Sequence, residues 1–267
     1  MPLYHLLLLA VIQGVTEFLP VSSSGHLILL PGLTGLADQG VALDVAVHVG
    51  TLVAVIAYFW TDVKIALRGT GDLIRGRFTT APAYLALCLI LATIPVVILG
   101  FVLHVTGWSD AMRNITVIGW TMLIFGLVLY WADQTGAEER AAEQWTFKHA
   151  LVMGLAQMLA LIPGTSRSGI TVTAARKLGY AREGAARLAM LMSIPTILAS
   201  GVVLSVDVVG QANWALARDA GIAAIFACLA AWIALALMMY FLRRISFTPY
   251  VIYRCILGVV LLGIAYS

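Results

Sequence analysis

Gln13 and Glu17 stand four residues apart, and Pro20, the run Ser22, Ser23 and Ser24, then Gly25 and His26 follow directly. Four residues is about one helical turn, so the amide and the carboxylate share a face of a helix that the proline then ends. A carboxylate is costly in apolar surroundings. The chemistry that keeps one there is a general base, a metal ligand or an ion site, and a buried hydrogen-bond hub is the plainer alternative. Gln13 can support Glu17 or act as glue between helices. His26 can orient or activate a serine hydroxyl, or attack phosphorus itself, because imidazole is both base and nucleophile; otherwise it is a satisfied core histidine. Hydroxyls gathered after a helix break suit an anion, although each can also spend itself on a backbone carbonyl.

A second constellation follows Pro163: Gly164, Thr165, Ser166, Arg167, Ser168, Gly169 and, two residues on, Thr171. The Arg167 guanidinium can grip phosphate oxygens in pairs, with Ser166, Ser168 and Thr171 completing a cradle. Gly164 and Gly169 permit close approach of the backbone. Asp44 and His48, also four apart, either face the same site or cap a helix and bond a neighbour. One acid, one imidazole, two hydroxyl clusters and one arginine together imply an anionic, phosphorylated ligand. They do not separate cleavage from transport.

The elements that must hold these groups are set by the solvent. Of the 267 residues, 61% are hydrophobic and 11% charged, and the mean hydropathy is +0.98, so polar surface is too scarce to cover a water-soluble fold. Six uninterrupted apolar runs, at 41–60, 82–105, 114–132, 187–206, 220–242 and 250–265, have the length of spanning helices and lack the alternation of a barrel. Two more, at 3–36 and 147–173, are apolar but broken, the first by Pro20, the serines and Gly25, the second by Pro163, Gly164 and Gly169. Each is expected to be a re-entrant hairpin of two half-helices. Broken backbone at membrane depth is tolerated only inside protein or along a polar cavity, which places a site between the breaks.

Basic residues collect in four loops: Lys64, Arg68, Arg75 and Arg77; Arg140 and Lys148; Arg176, Lys177, Arg182 and Arg187; Arg243 and Arg244. The intervening loops hold Arg113 and Arg218. All four basic loops fall on the cytoplasmic side if the second broken region enters and leaves from there and the first enters from outside. A shift of 144 residues places Gln13 on Gln157, Ser22 on Ser166, Ser24 on Ser168 and Gly25 on Gly169. The chain is therefore read as one integral membrane domain, 1–267, made of halves 1–133 and 147–267 in inverted topology, an all-α polytopic arrangement that transporters also use. Cys88, Cys228 and Cys255 lie far apart in apolar runs and read as packing residues. The first basic residue is Lys64, so the apolar N-terminus reads as mature fold rather than a secretory signal. No basic tract suggests nucleic acid.

The segments Gln13-Gly14-Val15-Thr16-Glu17-Phe18-Leu19-Pro20-Val21-Ser22-Ser23-Ser24-Gly25-His26 and Pro163-Gly164-Thr165-Ser166-Arg167-Ser168-Gly169 closely resemble the two signature motifs of bacterial undecaprenyl-diphosphate phosphatases, the bacitracin-resistance family. The resemblance implies hydrolysis of undecaprenyl diphosphate to undecaprenyl phosphate and inorganic phosphate, recycling the carrier lipid for peptidoglycan. It implies a divalent metal, Mg2+ or Ca2+, held in part by Glu17, and a multi-pass protein of the cytoplasmic (inner) membrane with its site on the outer side. Ser23 or His26 would attack the terminal phosphorus, and a serine nucleophile would use His26 as base. Two positions depart from the family pattern: Gln13 leaves Glu17 as the only carboxylate of the first motif, and His48 stands where a glutamine is expected. The expected partners are the polyprenyl diphosphate and membrane lipids, with a homodimer left open. A flippase or ion-coupled transporter using the same two breaks is the competing reading.

Overall fold

The computed structural model describes residues 2–28, 30, 40–108, 112, 114–208 and 214–267, without the side chains of 204–208. Residues 31–36, the far end of the expected first hairpin, and Arg113 lie outside the described residues. Among the described residues eleven α-helices follow in order: α1 (Leu3–Phe18), α2 (Ser23–Leu27), α3 (Val41–Tyr58), α4 (Trp60–Ile74), α5 (Ala81–Thr106), α6 (Ile115–Thr135), α7 (Phe147–Met158), α8 (Arg167–Lys177), α9 (Arg182–Val208), α10 (Trp214–Leu242) and α11 (Thr248–Tyr266). No strand occurs among the described residues.

Six of these helices, α3, α5, α6, α9, α10 and α11, are long and apolar enough to cross a membrane, and each overlaps one of the six uninterrupted runs. The chain is an all-α polytopic membrane protein. Its helices start where the sequence supplies caps. Thr80 Oγ1 accepts from the Ala83 N–H at 3.2 Å, Asn114 Oδ1 from Val117 at 2.9 Å and Thr146 Oγ1 from His149 at 3.2 Å. One expectation is corrected. The basic stretch after the first span is not simply a loop, because residues 60–74 form α4, which packs on α5 and buries Asp62, Val63 and Gly69. Its mixture of charge and apolar side chains is amphipathic at helical period, whereas a reading for charge alone sees only a loop.

Lipid offers no hydrophobic drive between helices, so close packing relies on small residues. Ala223, Ala227 and Ala231 form a fully buried seam along α10 at four-residue spacing. Gly14 of α1 and Gly50 of α3 press into it: a Cβ on Gly50 would stand 2.1 Å from the Ala224 carbonyl oxygen, and one on Gly14 2.6 Å from that of Ala227. Thus α10 locks α1 and α3 together, which sets the Glu17 face of α1 beside His48. On the other side α6 packs on α11, α5 on α7, and α8 on α6 and α9. The two chain breaks, after α1 and after the short 3-10 turn Leu159–Leu161, meet between these groups. Pro20, Val21 and Ser22 are buried there, as are Gly164, Thr165 and Ser166, so the irregular backbone faces protein and not lipid.

Candidate active site

Each break turns on a serine with left-handed backbone. Ser22 has φ 71° and Ser166 φ 69°, and they are the two non-glycine residues with positive φ among those described. Each precedes a helix, and each hydroxyl lies about a hydrogen bond from the second serine on: Ser22 Oγ to Ser24 Oγ is 3.0 Å and Ser166 Oγ to Ser168 Oγ is 3.1 Å. The second serines then tie the breaks to one another. Ser24 Oγ accepts from the Gly164 N–H at 3.0 Å, and the Ser168 hydroxyl donates to the Leu19 carbonyl at 3.0 Å. Gly164 is needed where it is, with φ +88° and a would-be Cβ 2.1 Å from Thr121 Oγ1. Gly25 lies against Met122 Sδ and Gly169 against Arg254, both too close for a side chain.

The crossing brings Arg167, the first residue of α8, onto Glu17 near the end of α1. Arg167 Nη2 donates to Glu17 Oε1 at 2.5 Å. The other carboxylate oxygen accepts from Gln13 Nε2 at 2.8 Å and from the Ser23 hydroxyl at 3.3 Å. Gln13 gives its second amide hydrogen to His48 Nε2 at 3.1 Å, because His48 Nδ1 is fixed as the donor by the Asp44 carbonyl at 2.7 Å. The Gln13 amide therefore points its two hydrogens at the site and leaves its buried Oε1 without a partner. Arg167 Nη1 is also buried and unpaired. Beside this chain a cleft of about 220 Å³ opens, lined by Glu17, His48, Arg167, Thr196 and Ser200 over an apolar floor of Val45, Val96, Leu161 and Ile197.

Of the expected site residues, Gln13, Glu17, Ser23 and Arg167 converge, and His48 joins them from α3. Ser22, Ser24, Ser166 and Ser168 instead knit the breaks together and are mostly buried. The Thr171 hydroxyl is fully buried and donates to the Arg167 and Ser168 carbonyls of its own helix, at 2.8 and 3.1 Å, so it does not reach the cleft. His26 is turned elsewhere. Its Nδ1 donates to the Ser22 carbonyl at 2.8 Å, which leaves Nε2 to accept from the Tyr253 hydroxyl at 2.6 Å, and it makes no hydrogen bond to Ser23. The serine hydroxyl that was expected to use His26 as base points at Glu17.

Two residues were missed in the sequence, one that holds both breaks and one that holds His26. Arg254, in the middle of α11, is completely buried. It donates to the carbonyls of Pro20 (3.3 Å), Gly164 (3.1 Å), Thr165 (2.9 Å) and Met122 (3.3 Å) and so holds both breaks and α6. A charge inside a span is itself the signal. Tyr253 carries no such mark, since an aromatic is ordinary at a membrane helix surface.

No cluster of three or more His, Cys, Asp or Glu groups that could hold a metal ion occurs among the described residues. Glu17 is a lone carboxylate whose oxygens already face a guanidinium, an amide and a hydroxyl. That donor set suits a hard cation bound through one carboxylate with water and diphosphate oxygens supplying the rest, and not a cage made by protein alone.

Comparison with known proteins identifies relatives of the whole chain. The family model described as "Bacitracin resistance protein BacA" matches residues 6–260. The chain is 66% identical over 267 residues, all of both proteins, to an undecaprenyl-diphosphatase of Roseobacter denitrificans, and equally to one of Dinoroseobacter shibae. It is 46% identical over 258 residues, 97% of each chain, to an undecaprenyl-diphosphatase of Chromohalobacter salexigens.

Proposed function

The chain belongs to the bacitracin resistance protein BacA family, and we propose that its two crossed breaks form the site at which it hydrolyses undecaprenyl diphosphate to undecaprenyl phosphate and inorganic phosphate. The enzyme is an integral membrane phosphatase acting on a phosphoanhydride. The observation that carries the site is the Arg167–Glu17 contact at 2.5 Å, which joins the two motifs across 150 residues with Ser23 on the same carboxylate.

In the resting arrangement Arg167 and Glu17 satisfy each other. A diphosphate entering the cleft competes for the guanidinium, whose buried Nη1 already lacks a partner and whose fork matches two phosphate oxygens. Glu17, released by Arg167 at one oxygen, keeps the other on the Ser23 hydroxyl. Ser23 Oγ then attacks the terminal phosphorus as its proton passes to Glu17. The bond from that phosphorus to the bridging oxygen breaks, and undecaprenyl phosphate leaves with the electron pair. Water cleaves the phosphoserine, releasing inorganic phosphate and restoring the hydroxyl. Positioning and charge neutralisation supply most of the acceleration, as in phosphoryl transfer generally. A divalent cation, Mg2+ or Ca2+, would be held by Glu17 together with the substrate's own oxygens and would neutralise the diphosphate's charge.

The resemblance of the motifs supports placing the protein in the bacterial inner membrane with the site reached from the outer side. The gathering of Lys and Arg in four loops, a pattern that marks cytoplasmic loops, supports that orientation. The matched geometry at Ser22 and Ser166 supports an inverted repeat. The transporter reading has less to stand on, because ion or lipid translocation has no need of a serine hydroxyl aimed at a carboxylate. Purified protein given a polyprenyl diphosphate in detergent should release phosphate, and EDTA should suppress it. No release from wild type with Mg2+ and Ca2+ both present would reject the enzymatic reading.

A further inference from the structure

Helix α4 is too short and too charged to span, yet it runs directly between two spans, α3 ending at Tyr58 and α5 beginning at Ala81. Both its ends are therefore fixed at one face of the membrane. Both its acids are occupied, and Asp62 is turned inward. Asp62 is buried and accepts from Arg187 at 2.5 and 3.0 Å, and Asp72 accepts from the Thr80 hydroxyl at 2.8 Å. Its cations are turned outward. Lys64, Arg68 and the following Arg75 and Arg77 are exposed, and among the described residues none of them meets a carboxylate.

The apolar residues on the same side are sorted as sharply. Trp60, Leu67 and Ile74 recur every seven residues and are 49%, 60% and 83% exposed, and Phe78 beyond the helix is 61% exposed. At about 100° per residue the three helical ones form a stripe about 40° wide, with Lys64, Arg68 and Arg75 within roughly 80° on one flank. Lys64 lies 5.9 Å from the Trp60 ring centroid, an aromatic and a cation side by side. An apolar stripe with cations along its edge, continuous with two membrane spans, matches the boundary between acyl chains and negatively charged headgroups.

We propose that α4 and the residues just after it dock on anionic phospholipid, with Trp60, Leu67, Ile74 and Phe78 in the acyl boundary and Lys64, Arg68, Arg75 and Arg77 on the phosphates. Burial of Asp62 against Arg187 leaves Lys64, Arg68, Arg75 and Arg77 in excess on this surface, which makes it selective for negative charge. Docking holds the outer flank of α5, whose Val96 lines the catalytic cleft.

The test uses delipidated full-length protein in detergent, titrated with phosphatidylglycerol or phosphatidylcholine, with bound lipid counted by native mass spectrometry. Wild type should retain phosphatidylglycerol in preference. The combined variant Lys64→Gln/Arg68→Gln/Arg75→Gln/Arg77→Gln should lose that preference by about tenfold or more, one cation near an anionic surface being worth about fivefold. Leu67→Asn should weaken both lipids alike. Arg243→Gln/Arg244→Gln, which removes cations elsewhere, should change nothing. Equal retention of the two lipids by wild type, an unchanged preference in the fourfold variant, or its loss in the Arg243/Arg244 variant would overturn the proposal. The four cations have no carboxylate partner, so the fourfold variant should melt with wild type; a collapsed melting temperature would show that these side chains support the fold instead.

Discussion

Ser22 and Ser166 stand in the same backbone conformation, φ 71° and 69°, and the residues that follow them, Ser23 and Arg167, are the proposed nucleophile and the phosphate-binding cation. One local device thus brings two different side chains to one carboxylate, that of Glu17. Left-handed backbone at a non-glycine residue costs on the order of 1 kcal/mol, and both serines recover part of it through their hydroxyls. Ser166→Gly should relieve the backbone while losing the bond to the Gly169 N–H, 3.1 Å long, and change stability by no more than about 1 kcal/mol. Ser166→Val, β-branched and without a hydroxyl, should cost about 3 kcal/mol. Thermal unfolding in detergent separates the two; a Val variant as stable as Gly would contradict this account of the break.

Glu17 and Arg167 should fail in different ways. Glu17→Gln removes the proton acceptor of Ser23 and should lower kcat about 10²- to 10⁴-fold. Arg167→Lys keeps a charge but loses the paired geometry, so KM should rise together with a smaller loss in kcat. Ser23→Ala should abolish a phosphoenzyme that Ser23→Cys can still form slowly. If labelled phosphate is trapped on His26 instead of Ser23 in rapid-quench experiments, the serine route is wrong.

Removing Arg254 should damage both breaks at once. In Arg254→Met the carbonyls of the buried residues Pro20, Gly164 and Thr165 lose their donor, and that of Met122 is left with its bond in the α6 ladder. The expected cost is about 3 kcal/mol or more, with activity lost even where the protein still folds. Arg254→Lys should rescue stability in part but not the alignment, since one ammonium cannot reach carbonyls from Pro20, Gly164, Thr165 and Met122 together. Wild-type activity in Arg254→Met would remove it from the positioning role.

Spans and breaks were legible because they depend on runs of one property. Twenty apolar residues announce a span whatever their partners, and a proline followed by hydroxyls announces a break. Contacts between residues distant in sequence carry no such mark. Nothing in the sequence near His26 points to Tyr253, 227 residues away. The same limit explains Thr171, whose hydroxyl is spent on its own helix by a local bond that competes with any ligand. Arg254 could have been found, because a lone cation in an apolar run asks what satisfies it. Helix α4 was hidden by the opposite error, Lys64 and Arg68 having been read as loop where the apolar residues around them keep helical period.

Tyr253 and His26 supply the last prediction. The Ser22 carbonyl can only accept, so His26 carries its proton on Nδ1 and offers the Nε2 lone pair to the phenol. Tyr253 can also accept from a protonated Nε2, which lets it hold the ring in either charge state. In Tyr253→Phe the imidazole loses its Nε2 partner while the Ser22 carbonyl keeps the proton on Nδ1. Nitrogen NMR of labelled histidine should show the Nδ1–H tautomer retained and the Nε2 signal shifted by the lost hydrogen bond. If His26 takes part in proton movement around the diphosphate, kcat should drop about tenfold with KM nearly unchanged, one hydrogen bond's worth of alignment. His26→Ala should lose at least as much, and the double variant should lose no more than His26→Ala alone, because the two act as one unit. Additive losses would mean that Tyr253 acts elsewhere, and an unchanged Nε2 signal in Tyr253→Phe would mean that the phenol does not bond the imidazole.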